Sequence, residues 1–137
     1  MSDDILVGID GSSHAARALA WALDEAELRG CRVRAVLTWS FLGEADSLLG
    51  PGTTEDDARE ALDHAVREAA GDRAGLVDQV TVNDLAAAGL LDQAQTAALV
   101  VVGSRGRSRL KGLMLGSVSR TVVERSPVPV VVIPPER

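Results

Sequence analysis

The residues whose types and spacing carry chemistry lie between Gly103 and Ser119. Gly103-Ser104-Arg105-Gly106 is followed by nine residues and then by Gly116-Ser117-Val118-Ser119. The segment leaves a run of valines and enters a stretch, Ser117 to Arg125, that reads as a short helix. Glycine has no Cβ, so it admits positive φ and lets backbone approach a ligand closely. Successive N–H groups in such a loop form a concavity for an anion. A helix starting near Ser117 adds unpaired N–H groups and the positive end of its dipole. The hydroxyls of Ser117 and Ser119 can donate to phosphate oxygens. The parts make a phosphate cradle, although not a Walker loop, because no GxxxxGK[ST] is present.

Charge is placed to match. The net charge is −6, which argues against general binding to nucleic acid or an anionic membrane. Between Gly103 and Arg125, however, six cations (Arg105, Arg107, Arg109, Lys111, Arg120, Arg125) face one anion, Glu124, for +5 against −11 elsewhere. A basic segment in an acidic chain points to a local anionic ligand. Each loop cation taken singly is also compatible with a solvated surface role.

A second glycine turn, Asp10-Gly11-Ser12, follows Ile5 to Ile9. Asp10 can hold Mg²⁺ or a ribose hydroxyl, or it can serve the start of the first helix; both roles are compatible, since a carboxylate there is stabilised anyway. His14, in the first helical turn, reads as a surface histidine, and His64 as an exposed one. With one cysteine, Cys31, there is no metal-ligand spacing, no intrachain disulfide and no Ser-His-Asp arrangement. Cys31 reads as a buried, inert thiol.

The elements that must position these groups follow from periodicity. Ile5 to Ile9 and Leu99 to Val102 are short apolar runs, the pattern of strands buried on both faces. Val33 to Trp39, Leu76 to Val82 and Val128 to Ile133 read as further strands, Leu76 to Val82 with the polar alternation of an edge. Helices are expected over Ser13 to Arg29, capped by Ser12 or Ser13 and stopped by Gly30; over Glu55 to Ala70, capped by Thr54; over about Ala87 to Thr96; and over Ser117 to Arg125. Residues 40–54 form a loop longer than most. Strands alternating with helices predict one doubly wound α/β domain, 1–137, with a five-stranded parallel sheet in the order 3-2-1-4-5 and helices on both faces. In such sheets ligands sit beyond the carboxyl ends of the strands, where the order switches direction. The 46% apolar content with only 2% aromatics demands a core of Ala, Val, Leu and Ile. No apolar run of about 18 and no charged-then-apolar leader occurs, so a cytoplasmic protein is expected.

At these residues the chain resembles the universal stress protein family. The family motif G-x2-G-x9-G-[ST] is matched at Gly103, Gly106, Gly116 and Ser117. The opening Ile5 to Ser12 and the ending Ser126-Pro127-Val128-Pro129-Val130-Val131-Val132 look like the family's first and last strands. The resemblance implies ATP as ligand. It implies that Gly8 and Ile9 line the adenine side, with Thr38 beside the ring, and that Asp10 faces the ribose or phosphates. Val102, Gly103 and Gly106 would form the ribose and phosphate loop, with Gly116, Ser117, Val118 and Ser119 meeting phosphate. The chain departs from the family at Ala97-Ala98, often Ala-Asp, and at Leu85 to Ala88, where a Gly-x-Pro turn is common.

Three functions compete. A regulatory module changes shape or partner when ATP, with or without Mg²⁺, binds. A slow ATP hydrolase or nucleotide-dependent transferase needs a group to orient water or a second acid or base, and the motif offers none; the HxGH-type signature of adenylyl transferases is also absent. An adapter with a vestigial pocket conflicts with the intact motif. The first is the expected function. A homodimer is expected through Val128 to Ile133, an apolar edge strand bracketed by Pro129 and Pro134; the resemblance implies the same.

Overall fold

Side-chain caps fix where the first two helices begin. Ser12 Oγ accepts a hydrogen bond from Ala15 N at 3.1 Å and starts α1 (Ser13–Arg29), which Gly30 ends in the left-handed conformation at φ 67°. Thr54 and Asp57 form a reciprocal capping box for α2 (Glu55–Ala70): Asp57 N donates to Thr54 Oγ1 and Thr54 N to Asp57 Oδ2. The computed structural model describes residues 3–40, 49–104 and 115–135.

The strands are β1 (Ile5–Gly8), β2 (Val33–Trp39), β3 (Val77–Asn83), β4 (Leu99–Gly103) and β5 (Val130–Ile133). They pair in parallel in the order β3-β2-β1-β4-β5. Helices α3 (Ala86–Ala94) and α4 (Ser117–Arg125) complete the alternation. The side-chain period of 2 divides the core. Ile5, Val7, Val33, Ala35, Leu37 and Val101 meet α1 and α2 on one face. Leu6, Val36, Val100 and Val102 meet Leu90 and Ala94 of α3 and Val122 of α4 on the other. The expected fold class, strand order and two-sided helical cover are all present.

Small differences have local causes. β3 runs one residue later than its apolar pattern predicts, because a 3₁₀ turn, Gly71–Leu76, follows α2 directly. β5 begins at Val130 rather than Val128, since Pro129 has no N–H to give; its carbonyl still accepts from Val100 N at 3.0 Å. α3 starts at Ala86 and ends at Ala94, two residues short of Thr96. Cys31 is half-buried rather than buried, packed against the core. Burial pushes its thiol pKa up, Arg29 opposes this, and nearby carboxylates add to it, so the thiol is not activated.

The amino end of the sheet is knitted by two arginines. Arg34, on β2, donates to Gln93 O, Gln93 Oε1, Thr96 Oγ1 and Thr96 O beyond α3, and to Asp4 Oδ2 before β1. Arg32 binds Asp78 of β3 through two hydrogen bonds of 3.0 and 2.9 Å and also reaches Gly75 O. Charged groups at this edge thus fix the register of three strands and α3.

Candidate functional site

The opposite, carboxyl, edge carries the predicted residues. β1 is central, with β2 on one side and β4 on the other. The chain runs outward from β1 through β2 to β3, then crosses to β4 and β5, so the crevice between β1 and β4 is the switch point. Register brings the strand ends level. Gly8 lies opposite Val36, and Val7 opposite Val101, so Ile9 and Asp10 leave β1 beside the exits of β4 and β2. Thr38 stands at the exit of β2, paired with Val82.

Asp10, Gly11 and Ser12 make the turn out of β1. Ile9 N is held by Val36 O at 2.8 Å. Gly11 has φ 80°, a conformation that favours glycine. Asp10 Oδ1 accepts from Ser12 N at 2.9 Å and from Ser12 Oγ at 2.5 Å. Ser12, not Asp10, caps α1, and the carboxylate holds that cap in place.

β4 leads into the glycine loop. Gly103 pairs with Ile133 of β5. Ser104 N donates to Ile133 O at 2.9 Å, and Gly116 N returns to donate to Ser104 O at 2.8 Å. The loop is therefore pinned shut at its neck, with Gly103 and Gly116 brought together across the intervening residues. Arg105 and Gly106, with Arg107, Arg109 and Lys111, lie outside the described residues.

α4 starts at the neck without a side-chain cap and with no acidic residue in its first turn. Its first backbone bond within the helix is from Arg120 N to Gly116 O, 2.9 Å. The N–H groups of Ser117, Val118 and Ser119 thus precede the helix's own ladder, the arrangement that favours an anion. Ser117 is exposed, Val118 half-buried, and Gly116 and Ser119 buried. Ser119 Oγ donates to Gly103 O at 2.6 Å. Its hydroxyl proton ties α4 to β4, leaving its backbone N–H as the group it can offer to phosphate.

Two contacts set the floor under the β1 and β2 exits. A Cβ on Gly89 of α3 would stand 2.6 Å from Thr38 Cγ2, and one on Gly8 would stand 3.1 Å from Leu90 Cδ1. These glycines let α3 close on the sheet directly beneath Thr38 and Gly8. Sequence reasoning missed Gly89, which reads as a weak point in a helix, and Ser104, which occupies a variable place in the motif. His64 is exposed and lies 3.0 Å from Glu68; His14 is half-buried at the start of α1. Among the described residues no group of three or more His, Cys, Asp or Glu could hold a metal ion, and no helix is long and apolar enough to cross a membrane.

Comparison with known proteins agrees with this fold. Residues 1–134 match the model of the universal stress protein family. One universal stress protein of Mycobacterium tuberculosis is 41% identical over 138 residues, and a second is 40% identical over 131, each match covering 93% of this chain. The chain spans under half the length of these relatives, 43% and 44%. Among solved structures, a universal stress protein of Archaeoglobus fulgidus superposes with a TM-score of 0.71 at 28% identity, covering 97% of this chain and 94% of its own. An Archaeoglobus fulgidus universal stress protein solved in complex with dAMP gives a TM-score of 0.66 at 27% identity, covering 96% of this chain and 97% of its own. With nearly its whole length matched and curated relatives at about 40% identity, this chain belongs to the universal stress protein family.

Proposed function

We propose that this chain is a regulatory module that binds ATP in the crevice between β1 and β4. The observation that carries the reading is the neck formed by Ser104 and Gly116, which sets the uncapped start of α4 at the exit of β4, the strand next to β1. A phosphate group fits the N–H groups of Ser117, Val118 and Ser119. The adenine and ribose fit the edge made by Gly8, Ile9 and Thr38, with Val102 and Gly103 on the β4 side. The dAMP-bound relative supports an adenine nucleotide as the ligand class.

Asp10 is the site residue suited to Mg²⁺. With Oδ1 held by Ser12, Oδ2 is the atom for a cation or a ribose hydroxyl. A single carboxylate is enough where phosphates supply the other ligands, as is usual for Mg²⁺. Hydrolysis additionally needs a group to orient water, and the named site residues supply none. The reading is therefore of a binding switch. A homodimer through β5 accompanies it: Val130, Val131 and Val132 are half-buried on the last strand of the sheet.

The test is calorimetric titration of the purified chain with ATP, with and without Mg²⁺, beside mass spectrometry of nucleotide released by heat. Binding is expected for the wild type and lost in Gly116→Val, which places a branched side chain at the neck, with far-UV circular dichroism unchanged. Wild-type affinity in a folded Gly116→Val variant refutes the site. ATP turnover of several per second, abolished by the same change, refutes the regulatory reading, since enzymes typically run at roughly 1–10³ s⁻¹.

A further inference from the structure

The sheet has two edges, and they are built differently. β5 is four residues long and lies between Pro129 and Pro134. β3 is seven residues long, pairs with β2 at every position from Val77 to Asn83 without a bulge, and holds no proline and no lysine. Its one charge, Asp78, is taken up by Arg32 through two hydrogen bonds. Bulges, prolines and lysines ordinarily keep an open edge from pairing, and β3 has none of them. Asp84 N donates to Trp39 O at 3.0 Å, so the even-numbered residues turn their backbone groups toward β2, while Gln79 and Thr81 turn theirs outward. Among the described residues, no backbone group bonds these outward N–H and C=O groups.

The two faces beside this edge differ in chemistry. On one, a groove of about 500 Å³ is lined by Glu55, Arg59, Leu62 and Asp63 of α2 and by Gln79, Val80 and Thr81 of β3. Arg59 is held by Glu55 at 3.0 Å and Arg67 by Asp63 at 2.8 Å, and Gln79 Nε2 donates to Asp63 Oδ1. These are the only two arginines of α2, against six carboxylates, so the helix carries −4 and its cations are already neutralised. On the other face, Val80 and Val82 are half-buried against the core under α3, and Leu85, at the start of that helix, is 59% exposed.

We propose that β3 takes up an extended peptide segment of another protein as a sixth strand, one whose side chains alternate between basic and apolar. The outward groups of Gln79 and Thr81 supply the ladder. Because side chains of an added strand alternate between the faces, the basic ones reach the acidic groove along α2 and the apolar ones extend the valine face under α3. Charge selects this occupant over a second copy of the chain. A copy paired antiparallel in a continuous sheet would set its own α2, also at −4, alongside the first. The site is independent of the nucleotide reading, since β3 lies two strands from the crevice between β1 and β4 and at the opposite edge from β5.

The experiment titrates the purified chain, at low salt, with a capped peptide of alternating valine and lysine, about eight residues long and so able to span β3. A peptide of alternating valine and glutamate is the control. Fluorescence anisotropy reads affinity, and amide hydrogen exchange reads where the peptide pairs. The lysine peptide should bind about tenfold or more tightly than the glutamate peptide and should slow exchange at Gln79 and Thr81. Thr81→Pro removes an outward donor and leaves the ladder to β2 whole, so the variant should keep its far-UV circular dichroism and lose affinity about tenfold or more. No binding of the lysine peptide, or binding without slowed exchange at Gln79 and Thr81, overturns the proposal, and the exchange result holds even where the proline variant fails to fold. Equal affinity in a folded Thr81→Pro variant also overturns it, since that is charge adhesion to α2. Slow exchange at both amides in the free chain that speeds up on dilution assigns the edge to a second copy and overturns it as well.

Discussion

Replacing Gly89 by alanine tests whether α3 holds the site floor by close contact. In an isolated helix the change stabilises by about 1 kcal/mol. Here the new Cβ stands 2.6 Å from Thr38 Cγ2, 3.5 Å from Val82 Cγ1 and 3.7 Å from Asp84 Cβ. Carbon atoms in good contact lie about 3.5–4.0 Å apart, so only the Thr38 contact is in conflict, by roughly 1 Å. Neither side yields easily. Thr38 is β-branched and stiff at χ1, and its strand is paired on both sides. α3 is seated by Leu90 against Gly8. Overpacking of this kind costs about 1–3 kcal/mol, giving a net destabilisation of about 0–2 kcal/mol. Thr38→Ser removes the offending methyl. In that background Gly89→Ala should stabilise by up to about 1 kcal/mol, a coupling of about 1–3 kcal/mol across the pair. Urea unfolding of the four proteins, followed by far-UV circular dichroism, reads the cycle. If Gly89→Ala shifts stability by the same amount with and without the Thr38 methyl, the close-contact argument is wrong.

Three other outcomes follow from the geometry. Asp10→Ala should weaken Mg·ATP binding by about 1–3 kcal/mol and also lower stability, because Ser12 loses its anchor. Asp10→Asn keeps an acceptor for Ser12 and should lose only the binding; calorimetry and thermal melts of the two variants separate charge from turn. On β5, Pro129 O and Ile133 O face β4, so odd positions point inward and Val130 and Val132 present N–H and C=O outward. Val132→Pro should therefore give a folded monomer by light scattering, while Val131→Pro, which removes an inward donor, should unfold; a wild-type monomer at micromolar concentration refutes the interface. The hydrogen bond from Arg32, and then its charge, hold the Asp78 carboxyl below its usual range. Folding thus favours the ionised form, and the stabilisation is present above the unfolded value of about 3.9 and lost as pH falls through the lower folded value. Both side chains are about half exposed, so the effect is small and screened by salt. Arg32→Ala should lose less stability than the wild type between neutral pH and pH about 3 at low salt; equal losses in urea melts refute the coupling.

What could be read from the sequence was whatever short-range chemistry dictates. α1, β2, α2 and α4 fall where caps and periodicity place them, because Ser12, Gly30 and Thr54 mark their boundaries. The 3₁₀ turn over Gly71–Leu76 left no trace, since it buries no residue fully and only Ala74 and Leu76 lean on the core, too few for an apolar period. The phosphate motif was legible because glycine spacing encodes it in one stretch of chain. Gly89 and Ser104 were not, because their meaning depends on partners brought close only by the fold: Thr38, 51 positions away, for Gly89, and for Ser104 the end of β5 and the start of α4. Arg34 was likewise silent, a charged residue inside an apolar strand whose five bonds all reach beyond it.

The arginine clamp at the amino edge has a consequence for how this scaffold can change. The sheet is held by guanidinium bonds across β1, β2 and β3 at one end, while β1 and β4 run into glycine turns at the other. Amide exchange should accordingly be slowest in the half of each central strand near Arg34, with ligand-induced protection confined to the other half. Substitutions that alter ligand preference then fall at the far end from the contacts that set strand register. Ligand choice can drift among related chains, or be redesigned in this one, while the Arg34 anchor keeps the architecture in place.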